Sequence, residues 1–381
     1  MNHGTYANVI IDISHEKVDR PFQYRIPDSL KEKLAVGMCV QIPFGTGNRK
    51  RKGYVIEITD KNEYPEERIK KIDGIITGNL PAETDAIKLA AWMRQTYGST
   101  MIAALKTVLP VKRAVRAVEK KKLRRTLSTE ELTSLLGECI RKHQNAKARV
   151  LQELLTEEEL PYELVTGKLH VSAATLNSLV NQGAITIESE SCYRNPVSLT
   201  VTEENGPELS EEQLYIKEQI LSDYDENIRK TYLIHGVTGS GKTLVYLALI
   251  EEMIKRGKQC IVLIPEIALT YQTLLRFYKH FGNRVSVMNS SLSQGERFDQ
   301  CERARKGEID VMIGPRSALF VPFPNLGMIV IDEEHEGSYI SENAPRYHAR
   351  ETAEYLASLK KASLVLGSAT PSLEAYYKAK K

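Results

Sequence analysis

Apolar positions along this chain follow two patterns. Near the N-terminus they recur in short runs broken by turn residues: Ala7–Ile13, Phe22–Ile26, Cys39–Pro43 and Tyr54–Ile58 read as strands, the last two bracketing a turn-rich tip, GTGNRKRKG. Strands of this length with hairpin punctuation predict a small β-barrel or sandwich. Asp85–Tyr97 has helical periodicity and is expected to close that unit. Further on, Ser128 followed by Glu131 is a capping-box signature. Leu132, Leu135, Leu136 and Ile140 then recur at helical spacing, and Ala148–Leu155 and Ser172–Gln182 repeat it before a short strand at Ala184–Glu188. Helices followed by a small strand fit a winged-helix-like module; a plain helical spacer has the same pattern. From about Pro207 the apolar residues gather into unbroken runs: Thr231–His235, Gln259–Ile264, Val285–Met288, Ile309–Ile313, Met328–Ile331 and Ser363–Leu366. Alternation of such runs with helical stretches predicts a parallel sheet covered on both faces, so the fold class is multidomain α/β.

Composition narrows this picture modestly. With 42% hydrophobic and 27% charged residues the chain is ordinary for a globular protein. No apolar run reaches the roughly 18 residues that would span a bilayer, and the first residues lack the pattern of a signal peptide. The five cysteines include no CxxC pair, which argues against a disulfide framework or a zinc site within these 381 residues. A reducing, cytoplasmic setting is the expectation. The net charge of +3 says little by itself. Two basic clusters say more: Arg49-Lys50-Arg51-Lys52, and the run from Val111 to Arg125, read as a basic linker. Either suits phosphate contact or a solvated surface.

The chemistry concentrates in the α/β region. GVTGSGKT, Gly236 to Thr243, follows the strand TYLIH and opens a helix, the context of a phosphate loop. Gly236, Val237, Thr238, Gly239, Ser240 and Gly241 would wrap the phosphates with backbone N–H groups, Lys242 would add a point charge, and the Thr243 hydroxyl would ligate Mg²⁺. MIVIDEEH places Asp332 and Glu333 at the tip of a buried strand, Asp332 for the Mg²⁺ shell and Glu333 to activate water. Glu334 and His335 complete an acidic tetrad seen in helicase-type motors. Ser368 and Thr370, in GSAT, are expected to couple that tetrad to DNA. Gln213 is placed to read adenine, although an exposed glutamine at a helix start has the same spacing. Arg316 and Ser317, in IGPRSALFVPF, and Tyr339, Tyr347, His348 and Arg350, in GSYISENAPRYHAR, suit contact with single-stranded DNA; core packing is the competing role for the aromatics.

Taken in order, GVTGSGKT, LIPEIALT, GPRSALFVPF, DEEH-EGSY, PRYHAR and GSATPS resemble the PriA family (primosomal protein N′) of replication-restart DNA helicases. VDRPFQYRIP and VGMCVQIPFG resemble that family's 3′-end DNA-binding domain. The resemblance covers nearly the whole chain and is weakest from about Val111 to Glu204. It implies a β-rich 3′-end-binding domain over residues 1–110, a basic linker at 111–127, a winged-helix-like domain at 128–204 and the first RecA-like lobe at 205–381. A 3′-end pocket would involve Phe22, Gln23, Tyr24, Gly45 and Lys70. Some members carry Asp where this chain has Gln23, which replaces an acceptor-only carboxylate by an amide. The implied activity is ATP- and Mg²⁺-dependent 3′-to-5′ DNA unwinding in primosome assembly at stalled forks. The implied partners are forked DNA with a 3′ end, single-stranded DNA, single-strand-binding protein, other primosome proteins and the loader of the replicative helicase, with no membrane. Full-length members add a second lobe and a zinc-binding region. The chain stops just past GSATPS, after helicase motif III, and its zinc ligands are not among these residues. It therefore reads as a truncated form, for which the alternative is a fork-binding module with little ATP turnover.

Overall fold

The computed structural model describes residues 5–76, 84–109, 118–167, 169, 171–192 and 208–381. It divides into two compact units, one of Met1–Val115 with Asn195–Lys381 and the other of Arg116–Arg194.

In the first unit, β1 (Tyr6–Ile11), β2 (Phe22–Arg25), β3 (Cys39–Phe44), β4 (Arg49–Thr59) and β5 (Gly74–Ile75) form an antiparallel sheet of order β2-β1-β4-β3-β5. The sheet curls until Arg25 on one edge bridges Lys71, just ahead of the other edge. Such closure removes exposed strand edges. Val9, Ile11, Tyr24, Val40, Ile42 and Val55 fill the interior. The tip between β3 and β4 is shorter than expected. Only Gly45 to Asn48 turn, with Gly45 at φ 73° and Asn48 at φ 47°, and Arg49–Lys52 belong to β4. Charged residues sit comfortably there because the ladder satisfies their backbone while their side chains stay in water.

The helices α1 (Thr84–Tyr97) and α2 (Met101–Val108) follow. Thr100 caps α2 by accepting from the Ala103 N–H. The sequence assigned α1 to the barrel unit. Its buried residues Leu89, Ala90 and Met93 join Ile102 and Leu105 of α2 in a core that also holds Ile10 of β1 and residues of the α/β lobe.

The second unit consists of β6 (Val118–Arg125), α3 (Thr129–Arg141), α4 (Asn145–Thr156), β7 (Glu159–Pro161), α5 (Tyr162–Gly167), α6 (Ala173–Asn181) and β8 (Ile185–Cys192). The Ser128–Glu131 capping box is present. Leu132, Val150, Leu154, Leu176 and Leu179 pack beneath a three-stranded sheet of order β7-β6-β8. The run read as a basic linker is therefore strand from Val118 onward, while 111–117 lie outside the described residues. Its cations meet acids on or just before the neighbouring strands: Arg124 approaches Glu159 and Glu188, Lys122 approaches Glu159, and Arg125 pairs with Glu158 at 2.7 Å.

The α/β lobe comprises α7 (Glu211–Asp225), β9 (Thr231–His235), α8 (Lys242–Lys255), β10 (Gln259–Leu263), α9 (Tyr271–Phe281), β11 (Val285–Val287), α10 (Gln294–Arg305), β12 (Val311–Gly314), β13 (Leu326–Ile331), α11 (Ala349–Lys360), β14 (Ser363–Ser368) and α12 (Leu373–Lys380). Its six strands are parallel, in the order β11-β12-β10-β13-β14-β9. The unbroken apolar runs follow from burial on both faces. Ile261, Leu263, Ile329, Ile331, Leu364 and Leu366 meet one core; Cys260, Val262, Met328, Val330 and Val365 meet the other. With β9, β14 and β13 adjacent, the loops after their C-terminal ends, where ligands bind in open α/β sheets, lie side by side.

Candidate nucleotide and DNA sites

The phosphate loop spans the exit of β9 and the entry to α8. Gly239 and Gly241 take φ of 83° and 80°, which favours glycine. A Cβ on Gly236 would lie 2.7 Å from Ser240 Oγ, and one on Gly241 would lie 2.3 Å from Gln213 Nε2. The loop is thus closely packed at Gly236 and Gly241. Lys242 is buried, and its Nζ donates to the carbonyls of Gly236 (2.8 Å) and Val237 (3.3 Å). Val237, Thr238, Gly239 and Ser240 are exposed, and Thr243 follows Lys242 in the first turn of α8. Gln213, expected to read adenine, closes a capping box with Ser210 and donates from Nε2 to Ser240 O at 2.9 Å. In this conformation its amide fastens helix α7 to the loop.

The acidic tetrad begins where β13 ends. Burial pushes the Asp332 carboxyl above its ordinary range, and neighbouring Glu333 adds to the rise. Tyr246 Oη donates to Asp332 Oδ1 at 3.2 Å from helix α8. Tyr339 Oη donates to the Asp332 and Leu263 carbonyls at 2.6 and 3.0 Å. Glu333 sits at φ 46°, a conformation costing about 1–3 kcal/mol for a non-glycine residue. The Glu334 backbone N–H donates to Gly367 O at 3.0 Å. His335 Nδ1 lies 2.8 Å from Ser368 Oγ, which also accepts from the Thr370 N–H at 3.1 Å. Ser368 is buried and Thr370 exposed. Lys242, Asp332, His335 and Ser368 therefore stand on adjacent strand exits, with Tyr246 reaching between two of them. A Cβ on Gly367 would fall 1.4 Å from Tyr246 Oη, so the glycine of GSAT makes room for that tyrosine. The sequence reading missed Tyr246, whose helical spacing resembles that of any core residue.

The residues expected to contact single-stranded DNA behave differently. Tyr339 and Tyr347 are 1% and 4% exposed and Arg350 is 5% exposed. Tyr347 packs edge-on against Phe320, and Arg350 pairs with Glu334. None of the three offers a face to a base in this structure, because each is buried in the lobe. Arg316 donates to the Ser338 (2.6 Å) and Ile340 (2.9 Å) carbonyls. His348 caps α11 by accepting from the Arg350 N–H. Ser317 remains exposed.

In the barrel, the five residues expected around a strand end do meet. Phe22, Gln23, Tyr24, Gly45 and Lys70 line a cavity of about 190 Å³. Phe44, of the PFG turn, also lines it, as do Tyr64 and Arg68, which escaped the sequence reading. Phe22 and Phe44 contact edge-to-face at 5.3 Å. Lys70 Nζ donates to Gly45 O at 2.6 Å, tying the β3–β4 turn to the opposite wall. Burial moves the Tyr24 phenol up to about 12, so it is a neutral donor, given to Pro43 O. Gln23 spends both ends of its amide on one loop: Nε2 donates to Lys61 O at 2.9 Å, and Oε1 accepts from the Glu63 N–H at 3.0 Å.

Residues 8–110 match the family model described as PriA 3′DNA-binding domain (3′BD), and residues 211–379 match DEAD/DEAH box helicase. The replication restart protein PriA of Bacillus subtilis (strain 168) is 34% identical over 442 residues, an alignment covering 99% of this chain and 54% of that protein. Its namesake in Chlamydia muridarum (strain MoPn / Nigg) is 35% identical over 382 residues, covering 97% and 49%. The chain spans about half the length of the curated relatives it matches. Among solved structures, the DUF1998 helicase MrfA is 18% identical with a TM-score of 0.34, over 45% of this chain and 29% of that one.

Proposed function

We propose, because this chain belongs to the PriA family of replication restart proteins, that it combines a pocket for the 3′ end of a DNA strand with an ATP-dependent motor lobe that moves 3′ to 5′. In this reading residues 1–110 capture the strand end, 128–204 face duplex DNA and 205–381 hold the nucleotide. The setting is a stalled replication fork, and the partners are forked and single-stranded DNA and the proteins that reload the replicative helicase.

The residues present suit magnesium-bound ATP, which supplies the phosphoryl group and a concentrated anionic charge. The phosphate loop opens an α-helix, where free N–H groups and the helix dipole favour anions. Lys242, now resting on loop carbonyls, would hold the β- and γ-phosphates. Thr243 and Asp332 would hold the metal, whose charge favours the ionised Asp332 that burial opposes. Glu333 would orient a water and take its proton. His335 and Ser368 would report the state of that site towards Thr370.

The observation that carries the proposal is the meeting of the phosphate loop, the acidic tetrad and the Gly367–Thr370 segment on three neighbouring strand exits, joined by Tyr246–Asp332 and His335–Ser368. The test is phosphate release from ATP with and without forked DNA, in the wild type and in Glu333→Gln. Nucleotide binding should survive the substitution and DNA-stimulated release should not; equal release by both overturns the assignment. Binding without any stimulated release in the wild type leaves the second reading, a module that grips fork DNA and turns over little.

A further inference from the structure

The chain carries two basic runs, and the structure treats them in opposite ways. Along β6 each described cation from Lys122 onward has a carboxylate near it. Along the start of β4, Arg49, Lys50, Arg51 and Lys52 are all exposed, and among the described residues none of their side chains has an ion pair or hydrogen bond. Four unneutralised cations on consecutive residues repel one another, so the arrangement favours an anionic ligand.

Their position is specific. β1 pairs with β4 only from Gly53 onward, and β5 reaches β3 only at Val40 and Gln41. Beyond Ile42, which is buried in the barrel core and lies opposite Arg51, Pro43 to Lys50 pair only with each other among the described residues, as a two-stranded ribbon. Residues opposite one another across a ladder share a face. Arg49 lies opposite Phe44 and Arg51 opposite Ile42. Phe44 lines the cavity, and Lys70 fastens the turn at Gly45 to the cavity's other side. Arg49 and Arg51 thus share the face that leads into the pocket, while Lys50 and Lys52 take the other face.

We infer that Arg49 and Arg51 form a phosphate rail for the DNA strand whose 3′ end occupies the pocket, holding the backbone of the nucleotides just 5′ of that end. The inference rests on the 3′-end reading of the pocket. Alternate residues of a strand stand about 7 Å apart, and the phosphates of a strand recur about every 3.4 Å along its helix axis, so two arginines at this spacing can each meet a separate phosphate. Arginine presents a rigid fork to phosphate oxygens. The rail carries no sequence preference, since it touches backbone alone.

The test uses the full chain and labelled single-stranded DNA with a 3′-hydroxyl, titrated at salt concentrations from about 50 to about 200 mM. Each neutralised phosphate of a single strand contributes about 0.7 to the slope of log affinity against log salt. Arg49→Gln with Arg51→Gln should lower that slope by about 1.4, so that the wild type loses about sevenfold more affinity than the variant across the range. Arg49→Lys with Arg51→Lys should keep the slope, and Lys50→Gln with Lys52→Gln should leave it near that of the wild type. An unchanged slope in the arginine-to-glutamine pair overturns the rail. So does an equal fall in the lysine-to-glutamine pair, which would mean diffuse attraction without a tracked strand. Competition by a 3′-phosphate strand judges the pocket separately: a wild type that ignores the blocked end refutes the end reading, while the slopes still decide the rail.

Discussion

Arg350 donates to Glu334 inside the α/β lobe, and Ser372 completes the pair. Its N–H and Oγ meet the two carboxylate oxygens at 3.0 and 2.7 Å, while Arg350 Nη1 also reaches Ser372 Oγ at 2.6 Å. Burial raises the Glu334 carboxyl, yet the hydrogen bonds from Ser372 and Arg350 outweigh it and hold the group below its ordinary range. The third member of the acidic tetrad is thereby spoken for, and the contact ties the entry of α11 to the strand exit that carries Asp332.

Arg350→Ala should therefore act on stability. It leaves a buried carboxylate without its cation, a change worth about 3–5 kcal/mol. Urea unfolding should show the loss, and DNA affinity measured well below the unfolding midpoint should change little. A variant of wild-type stability that binds single-stranded DNA many-fold more weakly would restore the DNA role that its sequence position implies.

The six strands of the lobe were legible in the sequence because burial on both faces leaves unbroken apolar runs, and the phosphate loop and tetrad because spacing and context agree. Phe22, Gln23, Tyr24 and Gly45 of the pocket were legible too, through the PFQY and PFG turns and the family resemblance that places these around one pocket. What escaped was long-range. Tyr339, Tyr347 and Arg350 look like nucleic-acid contacts by composition, and only the fold shows that they are buried in the lobe. The strand at Val118–Arg125 was hidden because its charges are answered by Glu159 and Glu188, distant in sequence. The helix α1 was visible, but the surface receiving its apolar stripe was not.

That surface makes the next prediction. Trp92 on α1 stacks on Tyr355 of α11 with ring centroids 4.6 Å apart and planes 8° from parallel. Tyr97 Oη donates to Glu351 at 2.7 Å, and Lys360 pairs with Asp85 at 3.3 Å. A double-mutant cycle of Trp92→Ala and Tyr355→Ala should return a coupling of about 0.5–1.5 kcal/mol, the range for aromatic pairs. Additive losses would mean that the stack contributes packing area and no pair term.

Lys242→Ala should separate the two sites. Among the described residues the Nζ hydrogen-bonds only to loop carbonyls, those of Gly236 and Val237. Titration with a fluorescent nucleotide should show a loss of at least tenfold in affinity, about 1.4 kcal/mol. A labelled fork should bind as it does to the wild type. Equal losses for both ligands would show that the sites depend on one another for binding, contrary to the separation of their residues.

His348 supplies a dependence on pH. Burial, with the Arg350 guanidinium adding to it, lowers its proton affinity in the folded chain, against smaller opposing effects of Glu351, Glu334 and Glu354. An unfolded histidine titrates near about 6.5. Below that pH the unfolded chain binds the proton that the folded chain refuses, so the unfolded state gains. The stability due to a neutral His348 is complete above about 6.5 and falls as pH drops from there towards the lowered folded value. The structural reason is local: Nδ1 caps α11 by accepting from the Arg350 N–H at 3.2 Å, and a protonated ring has no acceptor to offer. His348→Asn keeps a capping acceptor and does not titrate in this range. Denaturant midpoints measured from pH 7.5 down to pH 5 should fall more steeply for the wild type than for this variant. Parallel pH profiles for the two proteins would show that the cap stays intact through the titration, and that some other group sets the acid sensitivity of the lobe.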